Sequence, residues 1–285
     1  MKSVTPCTTK QLIEQYPNLS HHRGGLYLVK YGGAAMESSG VRQAVCEEIA
    51  LLSNLGIRIV VVHGGGKEIS RTLERLSIPS EFIGGLRVTS LAAMSAIEMV
   101  LSGAINKELA SRITHSGAPA IGLSGRDAHI LEGAVIKGAG GVDLGLAGEA
   151  TRCNTTPLLA LLDAQLVPVV SPIAETQDGT PLNINADYAA AALAGALHVS
   201  GCIFLTDVDG VRDRETIAES LTPQAIEELM ANGIITGGMI PKVQCAIQAL
   251  RAGCRQATIC NAAKPAIVSQ AITGSAGAGT TIHPA

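Results

Sequence analysis

The stretch Leu26-Tyr27-Leu28-Val29-Lys30-Tyr31-Gly32-Gly33 reads as a buried strand that stops at two glycines. Apolar residues from Leu26 to Val29 lead into Lys30 and then a turn. Beyond it Val41, Val45, Ile49 and Leu52 repeat at the spacing of an amphipathic helix. Strand, glycine turn and helix together aim backbone N–H groups and a helix N-terminus at an anion. Lys30 either adds an ammonium to that anion site or is a solvated lysine before an ordinary turn. A second copy of the arrangement shifts the balance toward the first. Ile57-Arg58-Ile59-Val60-Val61-Val62 runs into His63-Gly64-Gly65-Gly66 and another helix. Two glycine turns closing two strands imply one phosphate-sized site built from backbone amides.

The same alternation continues outward. The pattern predicts strand 26–30, helix 41–54, strand 57–62 and helix 67–76, then a loop or hairpin over 80–88. A long helix over 91–115 tolerates Gly103 and precedes strand 119–123. Short apolar runs broken by glycines over 129–149 predict hairpins. Helix 155–165, strand 166–171, helix 187–197, strand 202–206, helices 222–231 and 240–252, strand 257–260 and helix 265–272 complete the chain. Alternating strands and helices imply an α/β fold, with a mainly parallel sheet covered on both faces. The expected division is an N-terminal segment, 1–24, with a short helix over Thr9–Tyr16, then lobes 25–175 and 176–285.

Composition sets bounds on function. The chain has 285 residues, 47% of them hydrophobic and only 2% aromatic, so Ala, Val, Ile and Leu must build the core. A net charge of −3 argues against a nucleic-acid partner held by a basic field. Seven cysteines are scattered without a CxxC pair, which predicts buried free thiols in a reducing compartment. The polar N-terminus has no apolar signal core, and no run reaches the length of a membrane span. A soluble cytoplasmic protein is the expectation.

Three further groups could carry chemistry. Asn183-Ile184-Asn185-Ala186-Asp187, if extended, sends two carboxamides and a carboxylate to one side, and Asp187 is placed to cap the following helix. Turn formers and a cap alone would also explain it. Gly237-Gly238-Met239-Ile240-Pro241-Lys242 puts a cation in the first turn of a helix, against the dipole, which suggests use; a surface lysine is the other reading. Arg87, in Gly85-Leu86-Arg87-Val88-Thr89, suits a carboxylate or is solvated. Thr206-Asp207-Val208-Asp209-Gly210 ends a strand where nucleotides bind in open α/β sheets, or forms an Asx turn. His63 has no metal-ligand or triad spacing and is not assigned to catalysis. The Walker sequence and a GxGxxG after a strand are both absent.

Taken together, Lys30-Tyr31-Gly32-Gly33, His63 to Gly66, Gly85 to Thr89, Asn183 to Asp187, Leu205 to Val208 and Gly238 to Lys242 resemble the amino-acid kinase family. Gly-Leu-Arg-Val-Thr and Asn-x-Asn-Ala-Asp are particular to its acetylglutamate branch, and the match runs from about residue 9 to 282. The resemblance implies a three-layer αβα sandwich and transfer of the ATP γ-phosphoryl group to the γ-carboxylate of N-acetyl-L-glutamate, in arginine biosynthesis. It implies that Lys30 and Lys242 stabilise the transferring group and that Asp187 positions them. Gly65, Gly66, Arg87, Asn183 and Asn185 match substrate contacts. Gly32, Gly33, Thr206, Asp207, Gly210, Ile234 and Met239 match the ATP side. Mg2+ is carried by ATP, with no protein ligand assigned. Another amino-acid kinase, acting on carbamate or a different acyl amino acid, and a non-catalytic metabolite sensor are the alternatives.

The chain departs from the family at Ala34, Gly84, Ser90 and Arg126, where Asn, Asn, Asp and Lys are usual. A homodimer is implied, with a hexamer built through the N-terminal helix in arginine-inhibited members. Gln270 stands where those members carry a glutamate that receives arginine.

Overall fold

The computed structural model describes residues 18–284. Strand β1 (Leu26–Tyr31) lies at the centre of an eight-stranded sheet because its side chains are apolar toward both faces. The other strands are β2 (Arg58–His63), β3 (Ala120–Ser124), β4 (Val167–Ser171), β5 (Gly201–Thr206), β6 (Ser220–Leu221), β7 (Ala257–Asn261) and β8 (Thr280–Ile282). Their spatial order is β6-β8-β7-β5-β1-β2-β4-β3. Neighbours pair parallel throughout, except β8, which runs antiparallel to β7.

Helices cover both faces. Tyr27, Val29 and Tyr31 of β1 join a core with α1 (Ser39–Asn54), α2 (Gly66–Arg75), α3 (Leu91–Glu98), α4 (Asn106–His115) and α9 (Ile267–Thr273). Leu28, alternating to the other side, joins α5 (Thr156–Asp163), α6 (Ala186–Ala196), α7 (Pro223–Ala231) and α8 (Met239–Arg251). The result is the expected three-layer αβα sandwich. From β1 the chain moves outward to β2, and from β5 it moves outward on the other side. β1 and β5 are adjacent, so their carboxyl ends flank a topological switch point, where open α/β sheets bind ligands.

Several elements differ from the sequence pattern. The long helix over 91–115 is interrupted by a π-helical turn, Met99–Ile105, which holds Gly103. Strands Ile173–Glu175 and Pro181–Ile184 close a four-stranded ring with the hairpin Leu131–Lys137 and Asp143–Cys153. The two added strands are too short to show a period. Asn183 to Asp187 is not extended throughout. The strand stops at Ile184, and Asn185 rather than Asp187 caps α6, its Oδ1 accepting from Asp187 N at 2.8 Å. Asn is the stronger cap here because the chain is still extended at 185 and has already turned helical at 187.

Cys46, Cys202, Cys245, Cys254 and Cys260 are buried free thiols and Cys153 is half-buried. The helix expected over Thr9–Tyr16 lies outside the described residues. Among those residues no helix is long and apolar enough to cross a membrane.

Candidate active site

Lys30 is the fifth residue of β1 and shares a face with Leu28, the face that α6 covers. Capping by Asn185 starts α6 so that Asp187, in its first turn, meets Lys30. Lys30 Nζ lies 2.8 Å from Asp187 Oδ1. The contact is a close ion pair between a buried ammonium and a largely buried carboxylate. Burial pushes the Asp187 carboxyl up, but the charges of Lys30 and Lys242 outweigh it and hold the group below its ordinary range. Asp187 is therefore an anion paired with Lys30 and lying within the field of Lys242.

The glycine turns meet at this pair. Gly64 N donates to Tyr31 O at 2.8 Å, which zips the second turn to the end of β1. A Cβ on Gly32 would stand 2.9 Å from Lys30 Nζ and 3.4 Å from Gly64 N. Glycine is thus what lets the lysine and both turns share the space. Lys30, Gly33, Gly65, Gly66, Arg87, Asn183, Asn185 and Asp187 line one cleft of about 200 Å³. Below it His63 is fully buried, and burial depresses its pKa to about 4, so the ring is neutral.

Arg87 enters the cleft from the short hairpin of Phe82–Ile83 and Leu86–Arg87. It is buried, and its partners are neutral: Ser80 Oγ, Ser70 Oγ at 2.9 Å and Gly66 O at 3.0 Å. The guanidinium carbon lies 4.4 Å from the centre of the Phe82 ring, a cation–π contact that helps hold it. Burial lowers its pKa from the usual arginine value. A guanidinium desolvated in this way and satisfied only by neutral groups is suited to a carboxylate. Asn183 is positioned by Thr89, whose Oγ1 accepts from Asn183 Nδ2 at 3.1 Å.

On the other side of the switch point Asp207, Gly210, Ile234 and Met239 line a hollow of about 350 Å³. Thr206 lies buried beside it, its Oγ1 donating to Cys260 O at 3.2 Å. Helix α8 begins at Met239, and Lys242, its fourth residue, acts on the charge of Asp187. One hollow therefore holds the lysine–aspartate pair, and the second lies past the end of the neighbouring strand β5. Such an arrangement can hold an anionic small molecule and a nucleotide on either side of one transferred group. Among the described residues no group of three or more His, Cys, Asp or Glu forms a metal site.

Sequence reasoning missed the groups that hold Arg87. Ser70, Ser80 and Phe82 carry no spacing that links them to it. Thr89 was visible inside its motif, without its role on Asn183. Arg126, where lysine is usual, bonds Glu98 at 2.8 Å and Glu175 at 3.2 Å, away from the cleft.

Anion-binding glycine turns and a lysine–aspartate pair at the switch point of a parallel αβα sheet define an α/β protein of the phosphate- and nucleotide-handling class. A model of the amino acid kinase family matches residues 25–261, and the chain belongs to that family. It is 41% identical over 292 residues to the acetylglutamate kinase of Agrobacterium fabrum, covering 99% of each chain. Among solved structures it resembles N-acetylglutamate synthase from Neisseria gonorrhoeae complexed with coenzyme A and N-acetyl-glutamate. The TM-score is 0.84 at 25% identity, and the match covers 95% of this chain and 62% of that longer one. Carbamate kinase from Giardia lamblia bound to AMP-PNP shares the fold, with a TM-score of 0.66 at 18% identity over 92% of this chain and 99% of that one.

Proposed function

We propose that this chain transfers the γ-phosphoryl group of ATP to the γ-carboxylate of N-acetyl-L-glutamate, in arginine biosynthesis. A carboxylate oxygen attacks the γ-phosphorus, the bond from that phosphorus to the bridging oxygen breaks, and ADP leaves. The product is an acyl phosphate. The observation that carries the reading is the cleft itself, in which the Lys30–Asp187 pair and the buried Arg87 face the same small space.

The inventory suits this chemistry. The nucleophile is already ionised at neutral pH, so no general base is required. Catalysis then reduces to alignment and stabilisation of charge on the transferring group. Lys30 and Lys242 supply cations, and the amides of Gly65 and Gly66 supply donors. Asp187 holds the lysines in place. Arg87 takes the α-carboxylate, and Asn183 with Asn185 reads the acetamido group. ATP occupies the hollow at Asp207, Gly210, Ile234 and Met239, with Thr206 beneath and Gly32 and Gly33 toward its phosphates. Bound Mg2+ would neutralise phosphate charge. In this reading residues 25–175 form the acyl-amino-acid lobe and 176–285 the nucleotide lobe. A cytoplasmic homodimer is the proposed form.

A silent sensor would need neither lysine, and the retained Lys30, Asp187 and Lys242 weigh against it. Carbamate lacks an α-carboxylate for Arg87. A coupled ADP-release assay with N-acetyl-L-glutamate, glutamate and carbamate tests the reading. Release should depend on N-acetyl-L-glutamate, and equal release with free glutamate would remove the role given to the two asparagines.

A further inference from the structure

The two ring nitrogens of buried His63 have different partners. Nδ1 lies 3.0 Å from Gly64 O, and Nε2 lies 3.1 Å from Asn106 Nδ2. A carbonyl accepts only from a donor, so Nδ1 carries the proton and Nε2 accepts. The orientation of Asn106 agrees. Its Nδ2 also reaches Val169 O at 2.8 Å and Leu123 O at 3.2 Å, while its Oδ1 accepts from Lys107 Nζ at 3.3 Å. Lys107 is itself anchored on Gly122 O at 2.6 Å. An ammonium thus stands at one end of a chain that runs through Asn106 and the imidazole to the Gly64 carbonyl.

That carbonyl shares a peptide plane with the N–H of Gly65. The described peptide bonds are trans, so the two groups point opposite ways. Pinning the carbonyl on the imidazole directs Gly65 N–H away from it, toward the side where Gly64, Gly65 and Gly66 line the cleft with Lys30. Gly65 is also closely packed. A Cβ there would lie 2.4 Å from Ile105 Cδ1 and 2.7 Å from Leu101 Cδ2, both in the π-helical turn that Asn106 follows. Such turns inside helices are frequent at functional positions.

We propose that His63 and Asn106 are positioning residues, which hold the Gly65 N–H aimed at the oxygens of the transferring phosphoryl group. The inference rests on the kinase reading given above. Hydrogen bonds in series polarise one another, and a donor fixed where charge develops favours the transition state over the bound substrate.

Two amide variants separate this role from core filling. His63→Asn places its Nδ2 where Nδ1 stood and keeps a donor for Gly64 O. His63→Gln places its amide toward Asn106 and leaves Gly64 O without that donor. The relay predicts that His63→Gln lowers kcat about 10- to 100-fold while both KM values stay within about threefold, and that His63→Asn keeps kcat within about fivefold of wild type. Equal kcat in the two variants would overturn it. A second readout needs no turnover. In 15N-glycine-labelled protein the Gly65 amide signal should move in His63→Gln and stay near its wild-type position in His63→Asn. If wild-type protein releases no ADP with N-acetyl-L-glutamate, the kinase reading fails. The Gly65 signal then decides the relay alone, and an unmoved signal in His63→Gln refutes it.

Discussion

Acid should destabilise this protein through His63, and the size of the effect can be worked from its surroundings. Burial is the main cause that holds its folded-state pKa at about 4 against an ordinary 6.5; the bond to Gly64 opposes burial, and the charge of Lys107 assists it. As pH falls through 6.5 the unfolded chain binds a proton at this ring, and the folded chain does not until about pH 4. Stability from His63 is therefore full above the upper value and lost toward the lower one. At about 1.4 kcal/mol per unit the whole shift amounts to about 3 kcal/mol, of which about 2 kcal/mol goes between about pH 7 and pH 5.

Glu48 acts in the opposite sense. Burial raises its carboxyl in spite of bonds from Ser269 N and Oγ, both at 2.7 Å, so acid favours the folded chain there. Asp187 has the sign of His63, but its lowered pKa places its window below its ordinary 3.8. Comparing wild type with His63→Asn cancels both groups. Urea unfolding across this range should show the wild-type advantage shrinking by about 2 kcal/mol toward pH 5. An advantage constant with pH would refute a buried neutral imidazole.

Replacing Lys30 or Lys242 by Met should lower kcat about a hundredfold or more, with smaller changes in KM, since each is a preorganised charge donor; near-normal kcat at saturating substrates would remove that lysine from the mechanism. Arg87→Lys should raise KM for N-acetyl-L-glutamate and leave KM for ATP nearly unchanged, because one ammonium cannot replace a fork held by Ser70, Ser80 and Gly66. Equal changes in both KM values would indicate a role in folding or closure instead. Arginine should inhibit weakly or not at all: Gln270 is neutral, donates to Pro265 O at 3.0 Å, and gives up pairing worth about 1–3 kcal/mol. Half-inhibition at sub-millimolar arginine, with sizing in parallel to read the assembly, would overturn that reading of Gln270.

The frame of the site was legible because its elements are local. Lys30 and Gly32 are separated by one residue, and the apolar run before them marks the strand that carries the first and delivers the second. The same holds for His63 to Gly66. Asp187 was legible as a helix-start residue, but Asn185 took the cap, since which of two nearby capping residues wins depends on where the preceding strand ends. The supports of Arg87 were not legible. Ser70 comes from a helix and Ser80 from a loop, and only the packed hairpin brings them to the guanidinium. His63 and Asn106 are 43 residues apart and meet across a helix–sheet contact, so neither advertises the other in sequence. The π-helical turn that delivers Asn106 has no residue code of its own. Strands of three and four residues, such as Ile173–Glu175 and Pro181–Ile184, are too short to show alternation and exist through their neighbours.

The central claim is that a carboxylate of N-acetyl-L-glutamate receives the phosphoryl group. Hydroxylamine traps an acyl phosphate as a hydroxamate, so the decisive measurement is hydroxamate formed with MgATP, N-acetyl-L-glutamate and the purified chain. The account predicts N-acetyl-L-glutamyl hydroxamate at the γ position, formed in step with ADP and lost in Lys30→Met. ADP release without hydroxamate, or no turnover with this substrate, would contradict it.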